Sequence, residues 1–344
     1  MLILQKVLLG ILKEMSKKTL KEITILGQVI EPGKSYQIKI DIARLHTRTK
    51  IEVPVIITRA KKDGPCVLLS AGIHGNEVNG VEIVRQMVSN KFNIPDAGMI
   101  ICVPVLNVFG FLIKKRQFPD GKDLNRFFPG SKSGSLASKF AYVFMNEIVV
   151  HADYCIDYHT GGDDRFNYSQ VRISNDDADT LKLAQVFGAK FIKYSSHREK
   201  SYREAATGLG KKVLLFEGGK SLDLDRQVTH SGITGALNVL DYLGVKQFPK
   251  NYDSYKERAK QVVFEDSIWV RAKYSGMYRS VIRNGAKITK GDIIGLITDP
   301  YGFFERKVKA SKTGYIICLN HSPIVNQGDA IAHIAITPTS KNKV

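Results

Sequence analysis

Cysteine is scarce in this chain of 344 residues. The four cysteines lie far apart in apolar runs and form no Cys-x-x-Cys pair, which argues against a disulfide framework or a zinc ribbon. We therefore expect buried free thiols and a reducing, cytoplasmic location. Long apolar runs are also lacking, because Lys6, Lys13 and Glu14 interrupt the apolar N-terminus and no later segment is long enough to cross a bilayer. No membrane span is expected.

Acidic charge is low relative to basic charge, with 33 Asp and Glu against 51 Lys and Arg and a net charge of +18. Such an excess attracts anions, whether acidic substrates, nucleic acid or a membrane surface. The basic residues are dispersed and do not alternate with aromatic residues, so no nucleic acid is expected as a partner. A small anionic substrate fits the charge, and a homo-oligomer is compatible with the sequence.

Apolar strand-like runs alternate with helical patterns from Cys66 to Gly244. This alternation predicts an α/β domain with a largely parallel sheet that is covered on both faces. Alternating apolar and polar residues at 20–60 predict antiparallel edge strands that lead into the sheet. We assign this domain to residues 21–247. Its helices are predicted at 78–88, 137–150, 178–187 and 223–242.

Three further segments flank this domain. Residues 1–20 are assigned to an N-terminal extension, and the polar, turn-rich residues 248–261 to a linker. Residues 262–344 contain short strands punctuated by glycines, which is typical of a small all-β domain, and they resemble a lipoyl-type barrel sandwich in outline. Because no lysine stands in a carrier-type hairpin, a scaffolding or lid role is expected for this segment.

The first candidate site is the turn that contains His74 and Glu77, directly after a buried strand-like run. A His-x-x-Glu pair at a strand-to-helix turn lets both side chains reach one divalent metal. Such a pair alone is more often structural. Its position at a strand end, however, puts it on the carboxyl edge of the sheet, where open α/β sheets bind ligands.

Two later strands also end in one ionisable residue that is followed by glycines. His159 shares a strand face with Asp157 and is the natural third metal ligand. Two histidines and a glutamate leave the fourth position of zinc open for water, as in catalytic zinc sites. Glu217, at the end of the other strand, can take a proton from that water and return it to a leaving nitrogen. The alternatives are a hydrogen-bonded core histidine and an ion-paired glutamate.

A Gly- and Pro-rich loop follows at 116–130. Asn125 and Arg126 are adjacent in it and can clamp a substrate carboxylate, with a bidentate bond from the guanidinium. Arg116 can polarise a scissile carbonyl and stabilise the oxyanion. The alternative is a surface loop with ordinary charges.

Together these motifs resemble those of the succinylglutamate desuccinylase/aspartoacylase family, which is itself similar to zinc carboxypeptidases of the M14 type. The motifs, in chain order over residues 66–220, are His74-x-x-Glu77, Asp123-Leu-Asn125-Arg126-x-Phe-Pro-Gly, Asp157-x-His159-Thr-Gly and Phe216-Glu217-Gly-Gly. The resemblance implies an α/β fold with a zinc-carboxypeptidase-like mixed sheet flanked by helices. It also implies that residues 21–247 are the catalytic domain and that a small all-β domain follows.

The same resemblance implies a role for each metal-site residue. His74, Glu77 and His159 would hold one zinc ion per chain, and Glu217 would be the general base and acid. Asp123 matches the position that orients the first histidine ligand.

In the loop, the resemblance implies that Arg116 stabilises the oxyanion and that Asn125 and Arg126 bind a carboxylate of the substrate. The interval between Arg116 and Asn125 fits the Arg-x-x-Pro-Asp-Gly form of the bacterial branch. Lys114 or Lys115 is the alternative to Arg116.

The sequence thus predicts a zinc-dependent deacylase that hydrolyses an amide bond in a small, anionic N-acyl amino acid. One alternative is an M14-like carboxypeptidase that acts on peptides. The other is a basic binding protein whose metal is only structural, which predicts salt-dependent binding of nucleic acid.

Overall fold

We describe a computed structural model of the protein, and the description covers residues 20–44, 46–174, 177–250, 252 and 260–336. The predicted N-terminal extension lies outside these residues apart from its last position, and most of the predicted linker at 248–261 lies outside them as well. No helix within the described ranges is long and apolar enough to cross a membrane.

The first part of the chain alternates strands and helices. Its strands are β1 (Thr24–Ile25), β2 (Gln28–Val29), β3 (Ser35–Arg44), β4 (Lys50–Arg59), β5 (Cys66–Ala71), β6 (Met99–Val103), β7 (Tyr154–Gly161), β8 (Arg165–Ile173), β9 (Phe191–Tyr194) and β10 (Lys212–Lys220). Its α-helices are α1 (Val78–Ser89), α2 (Val108–Leu112), α3 (Leu136–Glu147), α4 (Ala178–Phe187), α5 (Tyr202–Gly208) and α6 (Arg226–Tyr242). Short 3-10 helices lie at Leu124–Arg126 and Val149–His151.

A large mixed sheet forms the centre of the molecule. Strands β6, β5, β7 and β10 are parallel neighbours, and the antiparallel strands β4 and β8 flank them on the two sides. All six residues of β5 are buried, because apolar clusters cover the sheet on both faces. This confirms the predicted fold class, a mixed α/β sheet flanked by helices. The carboxyl ends of the four parallel strands meet at one edge.

The predicted C-terminal strands are also present. They are β11 (Val262–Phe264), β12 (Ser267–Arg271), β13 (Gly276–Ser280), β14 (Lys287–Ile288), β15 (Ile293–Thr298), β16 (Glu305–Lys309), β17 (Gly314–Asn320), β18 (Ile324–Val325) and β19 (Ala330–Ile336). Strands β16, β15, β13 and β18 form a separate four-stranded sheet, and an apolar cluster lies within this C-terminal region.

Backbone pairing joins the C-terminal region to the central sheet. Strand β17 pairs with the first residues of β8, and β11 pairs with β9. Strands β12 and β19 extend the sheet beyond β17. The C-terminal region therefore lies against the strands next to the candidate site. The division into two domains stays a prediction.

The helix boundaries differ from the predicted ones by a few residues. Helix α6 begins at Arg226 instead of residue 223, because the Asp225 carboxylate accepts hydrogen bonds from the backbone N–H groups of Gln227 and Val228 and so caps the helix there. Helix α3 ends at Glu147 instead of residue 150, and a 3-10 turn follows. The four cysteines are free and buried, as expected.

Candidate metal and substrate site

The turn after β5 brings His74 and Glu77 to the edge of the sheet. It packs tightly against α2, and a Cβ atom at Gly75 would lie 2.0 Å from the carbonyl carbon of Gly110. Only glycine fits this contact. Helix α1 begins at the next residue after Glu77, and both His74 and Glu77 are buried. The turn therefore brings the His74 imidazole and the Glu77 carboxylate close together in a buried position.

His159 completes a group of three potential metal ligands. One ligand atom from each of His74, Glu77 and His159 lies within 4.8 Å of the others. The Nδ1 atom of His74 is 2.7 Å from Glu77 Oε1, and the Nδ1 atom of His159 is 3.0 Å from Glu77 Oε2. The backbone N–H of Thr160 also donates to Glu77 Oε2, at 3.1 Å.

The second nitrogen of each imidazole is held by an aspartate. The Nε2 atom of His74 lies 3.1 Å from Asp123 Oδ1, and that of His159 lies 2.8 Å from Asp157 Oδ2. The Ser70 hydroxyl donates to the other oxygen of Asp157, at 3.0 Å. An ionised carboxylate only accepts hydrogen bonds, so each Nε2 donates its proton to an aspartate. Each Nδ1 faces Glu77 and is the nitrogen that would bind a metal ion after losing its proton. This donor set fits a divalent metal ion.

The charges of these groups depend on one another. Burial by itself raises the pKa of Glu77, but the imidazoles of His74 and His159 hold this pKa well below its usual range. Burial lowers the pKa of His159, but the carboxylates of Asp157 and Glu77 raise it to about 10. Asp123 also has a pKa far below its usual range, since His74 and Arg116 outweigh the effect of burial. The Glu77 and Asp123 carboxylates are therefore ionised at neutral pH.

Arg116 lies beside the same carboxylates. Its Nη1 atom is 3.1 Å from Glu77 Oε1, and its Nη2 atom is 2.9 Å from Asp123 Oδ2. Lys114 and Lys115 are exposed and do not line the cavity. The geometry thus favours Arg116 over either lysine, and its catalytic role stays a prediction.

The 3-10 turn after Asp123 positions the predicted carboxylate clamp. The Asp123 carboxylate accepts a hydrogen bond from the backbone N–H of Asn125 at 2.9 Å. The Oδ1 atom of Asn125 accepts one from the backbone N–H of Tyr202 at 2.8 Å, which leaves its Nδ2 amide as the group that can donate. Asn125 and Arg126 both line the cavity.

Glu217 lies on the strand next to His159. Strand β10 pairs in parallel with β7, and Glu217 is the register partner of His159. Its Oε2 atom accepts hydrogen bonds from the Asn167 amide and from Arg172 Nη2, the latter at 2.7 Å. The alternative of an ion-paired glutamate is therefore seen in the structure, but Glu217 also lines the same cavity as the three metal-ligand candidates.

One cavity of about 540 Å³ contains all the predicted site residues except Asp123. Five further basic residues in its wall have no signal in the sequence, and they are Arg165, Arg172, Lys193, Arg198 and Arg203. The same is true of Trp269 and Cys318, with which the C-terminal region lines the same cavity. No strand was predicted for β8 or β9. One signal was available for α5, because Ser201 and Glu204 form an S-x-x-E pattern and the Ser201 hydroxyl caps the helix.

Two proteins of known activity are similar to this chain in sequence. The N-alpha-acetyl-L-2,4-diaminobutyric acid deacetylase of Halomonas elongata is 28% identical over 301 residues, which is 83% of this chain and 86% of that protein. The succinylglutamate desuccinylase of Pseudomonas aeruginosa is 30% identical over 153 residues, which is 41% of this chain and 44% of that protein.

The fold is also found in solved structures. The succinylglutamate desuccinylase/aspartoacylase of Rhodobacter sphaeroides has a TM-score of 0.77 at 22% identity, over 90% of this chain and 97% of that one. The product-bound ectoine utilization protein EutE (DoeB) of Ruegeria pomeroyi has a TM-score of 0.77 at 21% identity, with the same coverage.

The family model of the succinylglutamate desuccinylase/aspartoacylase catalytic domain matches residues 63–243, more than half of the chain. This range contains His74, Glu77, His159 and Glu217. The chain belongs to the succinylglutamate desuccinylase/aspartoacylase family.

Proposed function

We propose that the protein is a zinc-dependent deacylase that hydrolyses the amide bond of a small, anionic N-acyl amino acid. The observation that carries the proposal is the convergence of His74, Glu77 and His159 in the cavity that also contains Glu217. The names of the two curated relatives, a deacetylase and a desuccinylase of amino acids, support the same class of reaction. The buried free cysteines fit a cytoplasmic enzyme.

The metal would be held by the two Nδ1 atoms and the Glu77 carboxylate. Zinc suits two imidazoles and one carboxylate, and when bound it polarises a carbonyl and lowers the pKa of water to about 7. Asp123 and Asp157 fix the orientation of the imidazoles through Nε2.

Glu217 is the proposed proton carrier. Its carboxylate would accept a proton from the attacking water and deliver it to the leaving nitrogen. In the described part of the chain, the Asn167 amide and the Arg172 guanidinium bind Oε2 of this carboxylate, so Oε1 would be the oxygen that moves the proton.

The arginines would bind negative charge. Arg116, whose Nη1 atom lies 3.1 Å from Glu77 Oε1, would stabilise the oxyanion that forms at the scissile carbonyl. Asn125 and Arg126 would hold a carboxylate of the substrate through the Asn125 amide and the guanidinium. The excess of basic residues in the cavity wall favours such an anionic substrate.

A hydrolysis panel tests this function. It contains N-acetyl, N-succinyl and longer N-acyl amino acids, together with unblocked dipeptides. We expect release of free amino acid from one or more N-acyl compounds and little cleavage of dipeptides. Cleavage of the dipeptides alone would replace the proposal with a carboxypeptidase, and no cleavage of any compound by zinc-loaded protein would remove it.

A further inference from the structure

A groove lies between two strands of the C-terminal region. Strand β12 is at one end of the large sheet, and β16 is at one end of the separate four-stranded sheet. One cavity of about 160 Å³, the edge groove, is lined by residues of both strands, among them Val270, Arg271 and Arg306–Lys309. Among the described residues, none lines both the edge groove and the candidate metal and substrate site, so the two are distinct.

The edge groove runs along the outer edge of β16. The residues Arg306–Lys309 are consecutive, whereas alternate side chains of a strand point to opposite faces. A cavity that all four residues line therefore lies beside the backbone of the strand. Within the described ranges, β16 pairs with β15 alone and β12 pairs with β19 alone. The outer side of each strand thus offers backbone N–H and C=O groups for pairing with a further strand.

The lining of the edge groove combines an apolar floor with a basic rim. Val270, Ile297 and Val308 belong to the apolar cluster of the C-terminal region or pack against it. The rim has five exposed basic residues, which are Arg271, Lys273, Arg306, Lys307 and Lys309. Over the described part of the chain, no acidic residue lines the groove and none of the five forms an ion pair. The groove therefore suits a ligand with both apolar and acidic groups.

Aromatic side chains join the two sides of the edge groove. Tyr274, which follows β12, and Phe304, which precedes β16, meet edge to face with 5.4 Å between the ring centroids. The guanidinium carbon of Arg306 lies 4.8 Å from the Phe304 ring centroid, which holds this cation beside the pair. On the loop before β16, Tyr301 is 78% exposed and Phe303 is 92% exposed. Exposed aromatic residues together with arginine are typical of surfaces that contact another polypeptide.

We propose that the edge groove binds an extended, acidic segment of a partner protein, which adds a strand to the outer edge of β16. Apolar side chains of the segment enter the groove, and the acidic side chains that alternate with them meet the basic rim. A second copy of this chain does not match the groove, because both sides of the groove are basic and the whole chain has a net charge of +18.

Fluorescence anisotropy of labelled peptides, titrated with the full chain, tests the proposal. The probe is an octapeptide of alternating Glu and Val. The comparison peptides are the same octapeptide methylated at every backbone nitrogen and an octapeptide of alternating Lys and Val. We expect the probe to bind about tenfold or more tightly than either, since methylation removes the backbone donors and lysine reverses the charge. Equal binding of the methylated and unmethylated peptides, or no binding of the probe, would overturn the proposal.

Two double variants with the same change in net charge locate the binding. Lys307→Glu/Lys309→Glu reverses the charge of the rim on β16, and Lys139→Glu/Lys182→Glu, at exposed positions of α3 and α4, is the matched control. We expect the first variant to bind the Glu-Val peptide about tenfold or more weakly and the Lys-Val peptide more tightly, while the control keeps both wild-type affinities. The same affinities in both variants would overturn the assignment to the groove. If the first variant fails to fold, the peptide comparison on the wild type still decides the question.

An anionic membrane is the other surface that a basic rim with exposed aromatic residues can meet. Sedimentation with vesicles of phosphatidylcholine, with and without phosphatidylglycerol, distinguishes it from a polypeptide partner. We expect the Glu-Val peptide to stay bound to the wild-type protein when either kind of vesicle is added. Sedimentation with the phosphatidylglycerol vesicles and no binding of the peptide would assign this surface to a membrane and overturn the proposal.

Discussion

Asp157 holds the Nε2 atom of His159 at 2.8 Å, which turns the Nδ1 atom of this imidazole towards Glu77. The Ser70 hydroxyl fixes Asp157 in turn. We expect Asp157→Asn to lower the metal affinity about 10- to 100-fold, because the amide no longer accepts the Nε2 proton as strongly. Competition with a zinc-binding dye measures this change. Asp179→Asn, which alters an exposed aspartate of α4, should leave the affinity unchanged. An Asp157→Asn protein with wild-type affinity would contradict the assigned orientation of His159.

Removal of the general base separates metal binding from turnover. Glu217→Gln keeps the shape of the side chain, so the protein should bind one metal ion per chain as the wild type does. Its kcat should fall about 100- to 10,000-fold, which is the usual contribution of a positioned general base. Glu199→Gln, at a surface position, is the control and should keep wild-type kcat. Near-normal turnover in Glu217→Gln would show that another group carries the proton.

Arg116 and its two lysine neighbours can be distinguished by their kinetics. Arg116→Gln should lower kcat about 100- to 1,000-fold, as expected for the loss of one oxyanion donor. Lys115→Gln should keep kcat, since Lys115 is exposed and lies outside the cavity lining. Steady-state kinetics on the best substrate of the panel measure both. A larger loss in Lys115→Gln than in Arg116→Gln would reverse the assignment.

The metal-ligand candidates were predictable from the sequence because local patterns mark them. His74 and Glu77 lie in a glycine-containing turn that follows an apolar strand, and His159 and Glu217 lie towards the carboxyl ends of two other apolar strands, just before glycines. Parallel strands bring these ends to one edge of the sheet. Helices α1, α3, α4 and α6 were predictable as well, since apolar periodicity reports a buried face. Their ends shifted by a few residues at most, and the Asp225 cap decided the first residue of α6. The short helices α2 and α5 were not predicted.

The basic wall of the cavity was not predictable in this way. Strand β8 is rich in polar residues because several of its side chains line the cavity, so it forms no apolar run in the sequence. Its first part pairs with β17, which lies far away in the chain. Lys193 is unremarkable in the sequence, and its position depends on the pairing of β9 with β8. The contribution of Trp269 depends on contacts between residues far apart in the chain. Such tertiary relationships have no local signature.

Reconstitution with zinc tests the central claim most directly. The full chain is freed of metal with a chelator, and hydrolysis of the best N-acyl amino acid is measured as zinc is added back. The activity should be absent at first, rise in proportion to the zinc added and saturate at one ion per chain, and His159→Ala should show no such rise. Full activity in the metal-free protein, or the same zinc-dependent rise in His159→Ala, would contradict a hydrolase whose metal is held by His74, Glu77 and His159.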